Sequence, residues 1–222
     1  MRTELVVLDM AGTTVRDDGL VIRAFDEAAT AVGVPEDGPE RDNARRYVFD
    51  TMGQSKIEVF RALFGTEDRA REANTAFEKA YEHYVDGGVH PIDGAAEAIS
   101  TLRGAGVRVA LSTGFSPATQ HRILTALGWS AIADLVLAPG PGVRGRPYPD
   151  LVLTALMQAG VDDVRGVAVV GDTSNDIVSG LRAGAGLVAG VLTGAHDEAA
   201  LRAAGATHVL DSVAQLPELL LT

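Results

Sequence analysis

Six short apolar runs, each ending at or before a small or acidic residue, constrain the fold more than any other feature of this sequence. They are rich in Val and Leu and do not alternate with polar residues, which is typical of parallel strands buried on both faces. The segments between them carry helical patterns, so the sequence predicts an α/β fold with a doubly wound parallel sheet. The six runs are Leu5–Leu8, Val107–Leu111, Leu135–Ala138, Val167–Val170, Leu187–Leu192 and His208–Leu210.

Helix start signals between the runs support this alternation. Ser116-Pro117 offers an N-cap followed by a proline in the first helical turn. Pro149-Asp150 and Asn175-Asp176 open two further helical patterns. All three patterns close on a glycine, as helix C-termini often do. In a sheet of this kind ligands bind at the carboxyl ends of the strands.

Residues 16 to 87 interrupt the alternation of strands and helices. This segment holds four helical patterns and no convincing strand, beginning with "IRAFDEAATAVG" and ending with "EDRAREANTAFEKAYEHYVDGG". We therefore predict a Rossmann-like core formed by residues 1–15 and 88–222. Residues 16–87 are predicted to form an inserted helical cap domain over the strand ends.

Composition excludes several partners and chemistries. The formal net charge of −11 argues against nucleic acid and anionic membrane surfaces as partners. Without cysteine the chain has no disulfides, thiolate nucleophiles or thiolate metal ligands. The apolar start is too short for a signal sequence, and no run approaches the length of a membrane span. We expect a cytoplasmic protein that attracts any anionic substrate through a local positive site such as a metal ion.

Polar side chains follow several of the predicted strands. They are Asp9 in "LDMAGT", Thr113 in "VALSTGF", Arg146 in "GVRGRPYPD", and Asp172 with Asp176 in "VVGDTSND". Each alone has a structural explanation, such as a strand-end cap or a solvated loop residue. In this order, however, the topology of a parallel sheet brings all of them to one edge.

These residue types suit phosphoryl transfer. A carboxylate such as Asp9 can attack phosphorus and form an aspartyl-phosphate. Oxygens from Asp9, Asp172 and a backbone carbonyl suit Mg²⁺, which also screens phosphoryl charge. The Thr113 hydroxyl and the Arg146 guanidinium can hold phosphoryl oxygens. Asp176 is either close to the metal or simply an acid in the first turn of a helix.

The whole chain resembles the haloacid dehalogenase superfamily of hydrolases. The first motif of that family is usually Asp-x-Asp-x-Thr, whose second Asp serves as acid and base, and here Ala11 takes that place. Its third motif usually has Lys, and here Arg146 stands instead. Both departures are similar to the phosphonatase branch, whose pattern is Asp-x-Ala-Gly-Thr with an Arg-Pro-Tyr-Pro loop. This sequence reads "DMAGT" and "GRPYP".

The resemblance implies a set of site residues. Asp9 is expected to be the nucleophile, and Asp9, the Ala11 carbonyl and Asp172 are expected to bind Mg²⁺, with Asp176 beside them. The substrate is expected to be a small phosphorylated compound or phosphonate. The residues expected around it, besides Thr113 and Arg146, are Gly12, Thr13, Met52, Gly53 and Gly114.

The role of Lys56 decides which reaction the sequence predicts. Met52, Gly53 and Lys56 match the Met-Gly-x-x-Lys pattern of phosphonatase caps, in which the lysine forms a Schiff base with an aldehyde. The C–P bond then breaks to an enamine, so no acid is required at position 11. Only an amine forms an imine, and Lys56 and Lys79 are the only lysines in this arginine-rich chain. A Gly-x-Ser-Lys turn that merely holds substrate fits "GQSK" equally well.

Two departures keep three functions open. Val59 and Phe115 stand where phosphonoacetaldehyde hydrolases have a His and a Tyr. The motif match nevertheless predicts a hydrolase that cleaves the C–P bond of phosphonoacetaldehyde or a related small phosphonate through an aspartyl-phosphate. The alternatives are a phosphatase on a small phosphate ester, with a cap group replacing the missing acid, and a catalytically idle binding protein. The resemblance also allows a homodimer joined through the caps.

Overall fold

The computed structural model describes residues 2–221 and contains one six-stranded parallel sheet. The strand order is β3-β2-β1-β4-β5-β6, which confirms the predicted α/β class. All six predicted strands are present, each within two residues of its expected ends. The strands are β1 (Leu5–Asp9), β2 (Arg108–Ser112), β3 (Leu135–Leu137), β4 (Val167–Gly171), β5 (Leu187–Val191) and β6 (His208–Leu210).

Ten α-helices lie within the described residues. Among residues 2–221 none is both long and apolar enough to cross a membrane. The helices are α1 (Leu20–Ala31), α2 (Pro39–Asp50), α3 (Lys56–Phe64), α4 (Glu67–Asp86), α5 (Ala95–Gly104), α6 (Pro117–Ala126), α7 (Asp150–Ala159), α8 (Ser174–Ala183), α9 (Glu198–Ala203) and α10 (Leu216–Leu221).

The N-terminus of α8 differs by one residue from the prediction. The helix begins at Ser174 because Thr173 forms its N-cap. The Thr173 hydroxyl accepts a hydrogen bond from the Asp176 N–H at 3.3 Å. In return the Asp176 carboxylate accepts one from the Thr173 N–H at 3.1 Å. This reciprocal pair is a capping box, and it fixes the Asp176 side chain at the end of β4.

Alternate residues of the central strand β1 belong to two separate hydrophobic cores. Val6 and Leu8 pack into the larger one, and Leu5 and Val7 into the one beneath α7. Successive side chains of a strand point to opposite faces, so a sheet covered by helices on both faces must be apolar on both. This explains why the predicted strands show no polar alternation.

Helices α1 to α4 lie between β1 and β2 and are called the insert below. Their aromatic rings form one cluster, in which Phe25 lies 4.8 Å from both Phe60 and Phe77, between ring centroids. The segment that enters the insert and the segment that leaves it lie side by side, since the Arg16 N–H donates to the His90 carbonyl at 2.9 Å. The division into a core and a cap stays a prediction, and its outermost residues, 1 and 222, lie outside the described residues.

Candidate active site

Three neighbouring strands bring their polar carboxyl ends together. β1 pairs with β2 on one side and β4 on the other, all in parallel. Asp9 ends β1, Thr113 follows β2, and Asp172 follows β4. The connection that carries Arg146 precedes α7, which packs on the same sheet. The sheet edge predicted from the sequence therefore exists, and it lies at the point where the strand order changes direction.

Arg146 joins two of the buried acids. Its Nη1 atom lies 2.5 Å from Asp9 Oδ1 and 2.6 Å from Asp176 Oδ1, and its Nη2 atom donates to Ser112 Oγ at 3.0 Å. The contacts of Nη1 are close charge–charge contacts rather than well-aligned hydrogen bonds. Although burial opposes its charge, Asp176 and Asp9 raise the pKa of Arg146. The guanidinium is thus a fixed cation beside Asp9.

Asp172 is held by contacts of a different kind. Its Oδ1 accepts a hydrogen bond from the Thr13 hydroxyl at 3.1 Å, and its Oδ2 accepts one from the Ala195 N–H at 2.8 Å. Gly12 has a φ of 87°, and the space where a Cβ would lie is filled by the Asp172 carboxylate. Gly12 and Thr13 therefore position this acid, one through its small size and the other through its hydroxyl.

Asp9, Asp172 and Asp176 are buried close together, so it is electrostatically unfavourable for all three to be ionised. Burial raises the pKa of Asp9 to about 6, Arg146 opposes this effect, and Asp176 adds to it. Burial, together with Asp9 and Asp176, raises the pKa of Asp172 well above its ordinary value. One guanidinium does not neutralise three buried carboxylates, so a further positive charge would stabilise their ionised forms.

The donor set fits a divalent cation. Asp9, Asp172 and Asp176 each offer an oxygen, and these atoms lie within 4.8 Å of one another. Both oxygens of Asp176 are already engaged, one by Arg146 and the other by Thr173. Asp172 likewise accepts hydrogen bonds at both oxygens, so these contacts do not rank the three acids, and all three fit a place around the cation. An anionic, all-oxygen set of this kind suits a hard ion such as Mg²⁺.

A cavity of about 570 Å³ opens over these residues and is shared by the sheet edge and the insert. Ala11 lines it and contributes no acid, so the gap noted in the sequence is a gap in the site itself. Thr113 also lines it. The Thr113 hydroxyl accepts a hydrogen bond from the Phe115 N–H at 3.2 Å, which leaves its own proton available to an incoming oxygen.

The loop before α3 reaches the cavity because two core residues hold it. The Asn175 side chain donates to the Met52 carbonyl at 2.7 Å and accepts from the Gln54 side chain at 3.2 Å. A Cβ at Gly114 would lie 2.8 Å from the carbonyl oxygen of Gly53. Gly114 is therefore required for the close approach of this loop, and its own carbonyl accepts from the N–H of Lys56 at 3.3 Å.

Lys56 is the first residue of α3, and its side chain is buried. The ammonium lies over three aromatic rings, 5.7 Å from the centroid of Phe25, 6.0 Å from Phe77 and 5.1 Å from Phe115. Burial lowers the pKa of Lys56 to about 8, and this effect is partly offset by Asp17 and then Asp9. Within residues 2–221 no carboxylate forms an ion pair with it. The amine is therefore close to neutral at mildly alkaline pH and remains unpaired.

The structure brings almost all of the predicted site residues together. Thr13 and Asp176 do not line the cavity, and they contact Asp172 and Arg146, respectively. The predicted residues that line it are Asp9, Ala11, Gly12, Met52, Gly53, Lys56, Thr113, Gly114, Arg146 and Asp172.

Sequence reasoning missed three residues of this region. Ser112 binds the Arg146 guanidinium, and Asn175 holds the loop that carries Lys56. Asp17 lines the cavity between β1 and α1. The motif "VVGDTSND" already contained Asn175, whereas the "RDDG" run around Asp17 is typical of an ordinary turn.

Comparison with known proteins agrees with this geometry. Residues 3–184 match the family of haloacid dehalogenase-like hydrolases, and the chain belongs to that family. It is a hydrolase of the phosphatase or phosphonatase kind. The family also favours an enzyme over the catalytically idle binding protein. The expected homodimer stays a prediction.

Among individual relatives, the chain is 30% identical to a phosphonoacetaldehyde hydrolase of Bacillus cereus, over 89% of this chain and 78% of that protein. It is 26% identical to the probable phosphatase IndB of Dickeya dadantii, over 96% and 91%, respectively. A crystal structure of a phosphonoacetaldehyde hydrolase-like protein from Oleispira antarctica superposes with a TM-score of 0.85. The two chains are 25% identical, and the superposition covers 100% of this chain and 92% of that one.

Proposed function

We propose that this protein is a Mg²⁺-dependent phosphonatase that cleaves the C–P bond of phosphonoacetaldehyde or a related small phosphonate aldehyde. The observation that carries the proposal is the unpaired, buried amine of Lys56. It lines the same cavity as Asp9, in a site where Ala11 offers no acid. A lysine desolvated in this way is a nucleophile at moderate pH.

The first role of the site is to form an imine at Lys56. The neutral amine attacks the aldehyde carbon, and the electron pair of the C=O bond moves to oxygen. Loss of water then leaves a C=N bond between the substrate and Lys56. Burial lowers the pKa of the amine and so favours this reaction, and the rings of Phe25, Phe77 and Phe115 contribute to that burial.

The second role is transfer of the phosphoryl group. Asp9 attacks phosphorus while Arg146 and Thr113 hold the phosphoryl oxygens. The C–P bond breaks, and its electron pair moves into the protonated imine, which becomes a neutral enamine. Water then releases phosphate from Asp9, and protonation and hydrolysis of the enamine release the aldehyde and Lys56. Mg²⁺, held by Asp9, Asp172 and the Ala11 carbonyl, would supply a positive charge that screens the phosphoryl group.

A phosphatase acting on a small phosphate ester is the second candidate. It is supported by the likeness to the probable phosphatase of Dickeya dadantii, which extends over 96% of this chain. Val59 and Phe115 also offer no titratable group at two positions where phosphonoacetaldehyde hydrolases have one. In this alternative Lys56 binds the substrate as a charged side chain and forms no covalent bond.

The two candidates differ in what they require of Lys56. We would measure phosphate release from phosphonoacetaldehyde and from a panel of small phosphate esters, with Mg²⁺ and after its removal by EDTA. The variants are Lys56→Arg and, as a matched control, Lys79→Arg, since Lys79 is the only other lysine and is exposed. We expect release from the phosphonate to require Mg²⁺, to be lost in Lys56→Arg and to persist in Lys79→Arg.

Release from esters alone, unaffected by Lys56→Arg, would refute the phosphonatase proposal and favour the phosphatase. Reduction of the reaction mixture with borohydride is a second, independent test that distinguishes the two functions. A phosphonatase gains the mass of the reduced adduct on the peptide that contains Lys56, whereas a phosphatase gains none.

A further inference from the structure

Asp17 is an acid of the cavity that neither the motifs nor the proposed reaction has used. It lies in the connection between β1 and α1, is half-buried, and lines the same cavity as Lys56 and Asp9. Its Oδ1 accepts a hydrogen bond from the Val21 N–H at 3.1 Å, which fixes the side chain at the start of α1.

Asp17 and Lys56 are each other's strongest charged neighbours. Among the charged groups that act on the amine, Asp17 comes before Asp9, Arg146 and Asp172. Among those that act on Asp17, Lys56 comes first. No ion pair joins the two side chains within the described part of the chain. Both side chains line the same cavity and form no ion pair with each other, so a substrate bound there can contact both.

The other polar groups near the amine are less suitable for proton transfer. Asp9 is in contact with Arg146, and Asp172 accepts hydrogen bonds from Thr13 and Ala195. On α4, burial, together with Asp17 and Asp9, raises the pKa of Tyr81 and keeps its phenol protonated. Asp17 neither contacts Arg146 nor belongs to the acids that fit the metal, and it lines the cavity at the start of α1, on the insert side.

We propose that Asp17 is a catalytic residue that transfers protons during imine formation at Lys56. The carboxylate accepts a proton from the attacking nitrogen as the C–N bond forms. The resulting carboxylic acid returns that proton to the former carbonyl oxygen, which gives a carbinolamine. A second transfer of the same kind moves the remaining proton of the nitrogen to the hydroxyl, which leaves as water as the C=N bond forms. The net change is aldehyde plus amine to imine plus water, and Asp17 ends ionised. This inference rests on the phosphonatase function proposed above.

The burial of Asp17 favours this role. Burial raises the pKa of Asp17, while the backbone N–H group of Val21 opposes the shift. A general acid or base works best when its pKa lies near the working pH. Asp17 also lies away from the acids that fit the metal, so it can exchange protons without weakening that site.

The test separates this role from the proposed function. Protein treated with EDTA is mixed with acetaldehyde and sodium cyanoborohydride, and the rate of ethylation of Lys56 is measured by peptide mass spectrometry from pH 6 to 10. The variants are Asp17→Asn, whose amide oxygen can still accept from Val21 N–H, and Asp18→Asn as the matched control. Asp18 is exposed and has a φ of 47°, which asparagine tolerates. Lys56→Arg gives the background.

We expect Asp17→Asn to lower the maximal rate of trapping at Lys56 by about 100-fold or more, the usual effect of a general acid–base residue. We also expect its pH profile to move to lower pH, because the amine loses its strongest neighbouring carboxylate. Asp18 lines the same cavity and raises the pKa of Asp17, so Asp18→Asn controls for the loss of a nearby charge; it keeps the Asp17 carboxylate and should leave the maximal rate near that of the unmodified protein. A purely structural role of Asp17 would not shift the profile in this way.

Equal or faster maximal trapping in Asp17→Asn would overturn the inference and leave the imine mechanism intact. No trapping at Lys56 in the unmodified protein would refute the phosphonatase function and this role with it. Thermal melting checks that each variant is folded. If Asp17→Asn does not fold, Asp17→Ser, which keeps an acceptor oxygen for Val21, takes its place in the same assay.

Discussion

Replacement of Lys56 by Met should abolish phosphonate cleavage and make the protein more stable. The Lys56 side chain is only 7% exposed, and its ammonium has no ion-pair partner in the described structure. A buried charge that lacks a partner costs folding free energy. Methionine keeps the length and apolar surface of the lysine stem, so the three aromatic rings around it retain their contacts.

The size of the effect follows from the pKa of the amine. Each pKa unit corresponds to about 1.4 kcal/mol, so the fall from 10.5 to about 8 costs the folded protein about 3 kcal/mol. The cost is fully present below pH 8, where the amine is charged in both the folded and unfolded states. It decreases between pH 8 and 10.5, where the folded protein has lost the proton and the unfolded chain has not, and it is about 1 kcal/mol at pH 10.

Urea unfolding of the unmodified protein and Lys56→Met at pH 7 and pH 10 measures this difference directly. We expect the variant to be more stable by up to about 3 kcal/mol at pH 7 and by about 1 kcal/mol at pH 10. Lys79→Met is the control, because Lys79 is exposed on α4 and should change stability little at either pH.

A Lys56→Met variant that is less stable than the unmodified protein at pH 7 would refute the reasoning. The amine would then have a stabilising partner in solution. An advantage that is the same at pH 7 and pH 10 would refute the lowered pKa, because a gain in apolar packing alone does not depend on pH.

Three further changes test the surroundings of the site. Asn175→Ala removes two hydrogen bonds to the loop before Lys56, worth about 1 kcal/mol each, so steady-state kinetics should show a loss of up to about 30-fold in kcat/KM. Gly114→Ala places a Cβ where the loop carbonyls lie, so turnover should be lost while the far-UV circular dichroism is retained. Asp172→Asn should weaken Mg²⁺ binding measured by isothermal titration calorimetry. In the metal-free protein it should raise stability to urea at neutral pH, because it removes a charge that burial and Asp9 disfavour.

The sheet and its polar edge could be predicted from the sequence because they depend on short-range signals. A buried parallel strand needs a continuous apolar run, and the chain supplies six of them. Asp9, Thr113 and Asp172 directly follow such runs, so the sheet topology alone brings them together. The same reasoning applies to the helix that Ser116 caps, since the N-cap hydroxyl lies beside the N–H group that it satisfies.

The surroundings of Lys56 could not be predicted in this way. The three rings near its amine come from α1, α4 and the loop after β2, which are far apart in the sequence. Phe25 and Phe77 fit the apolar face of any amphipathic helix, and nothing in their spacing indicates that they surround an amine. The lowered pKa arises from long-range packing, which local patterns do not contain. Asp17 was missed for the same reason, because only the folded cavity relates it to Lys56.

The charge of the site explains why a methyl group stands at position 11. Three buried carboxylates already face one guanidinium, and burial and repulsion raise the pKa values of Asp9 and Asp172. A fourth carboxylate at Ala11 would raise them further and would oppose ionisation of the nucleophile. An ester phosphatase must accept this cost, because its leaving oxygen needs a proton. A reaction whose leaving electrons move into an imine at Lys56 needs its proton transfers on the insert side of the cavity, where Asp17 lies, and Ala11 then leaves Asp9 free to ionise.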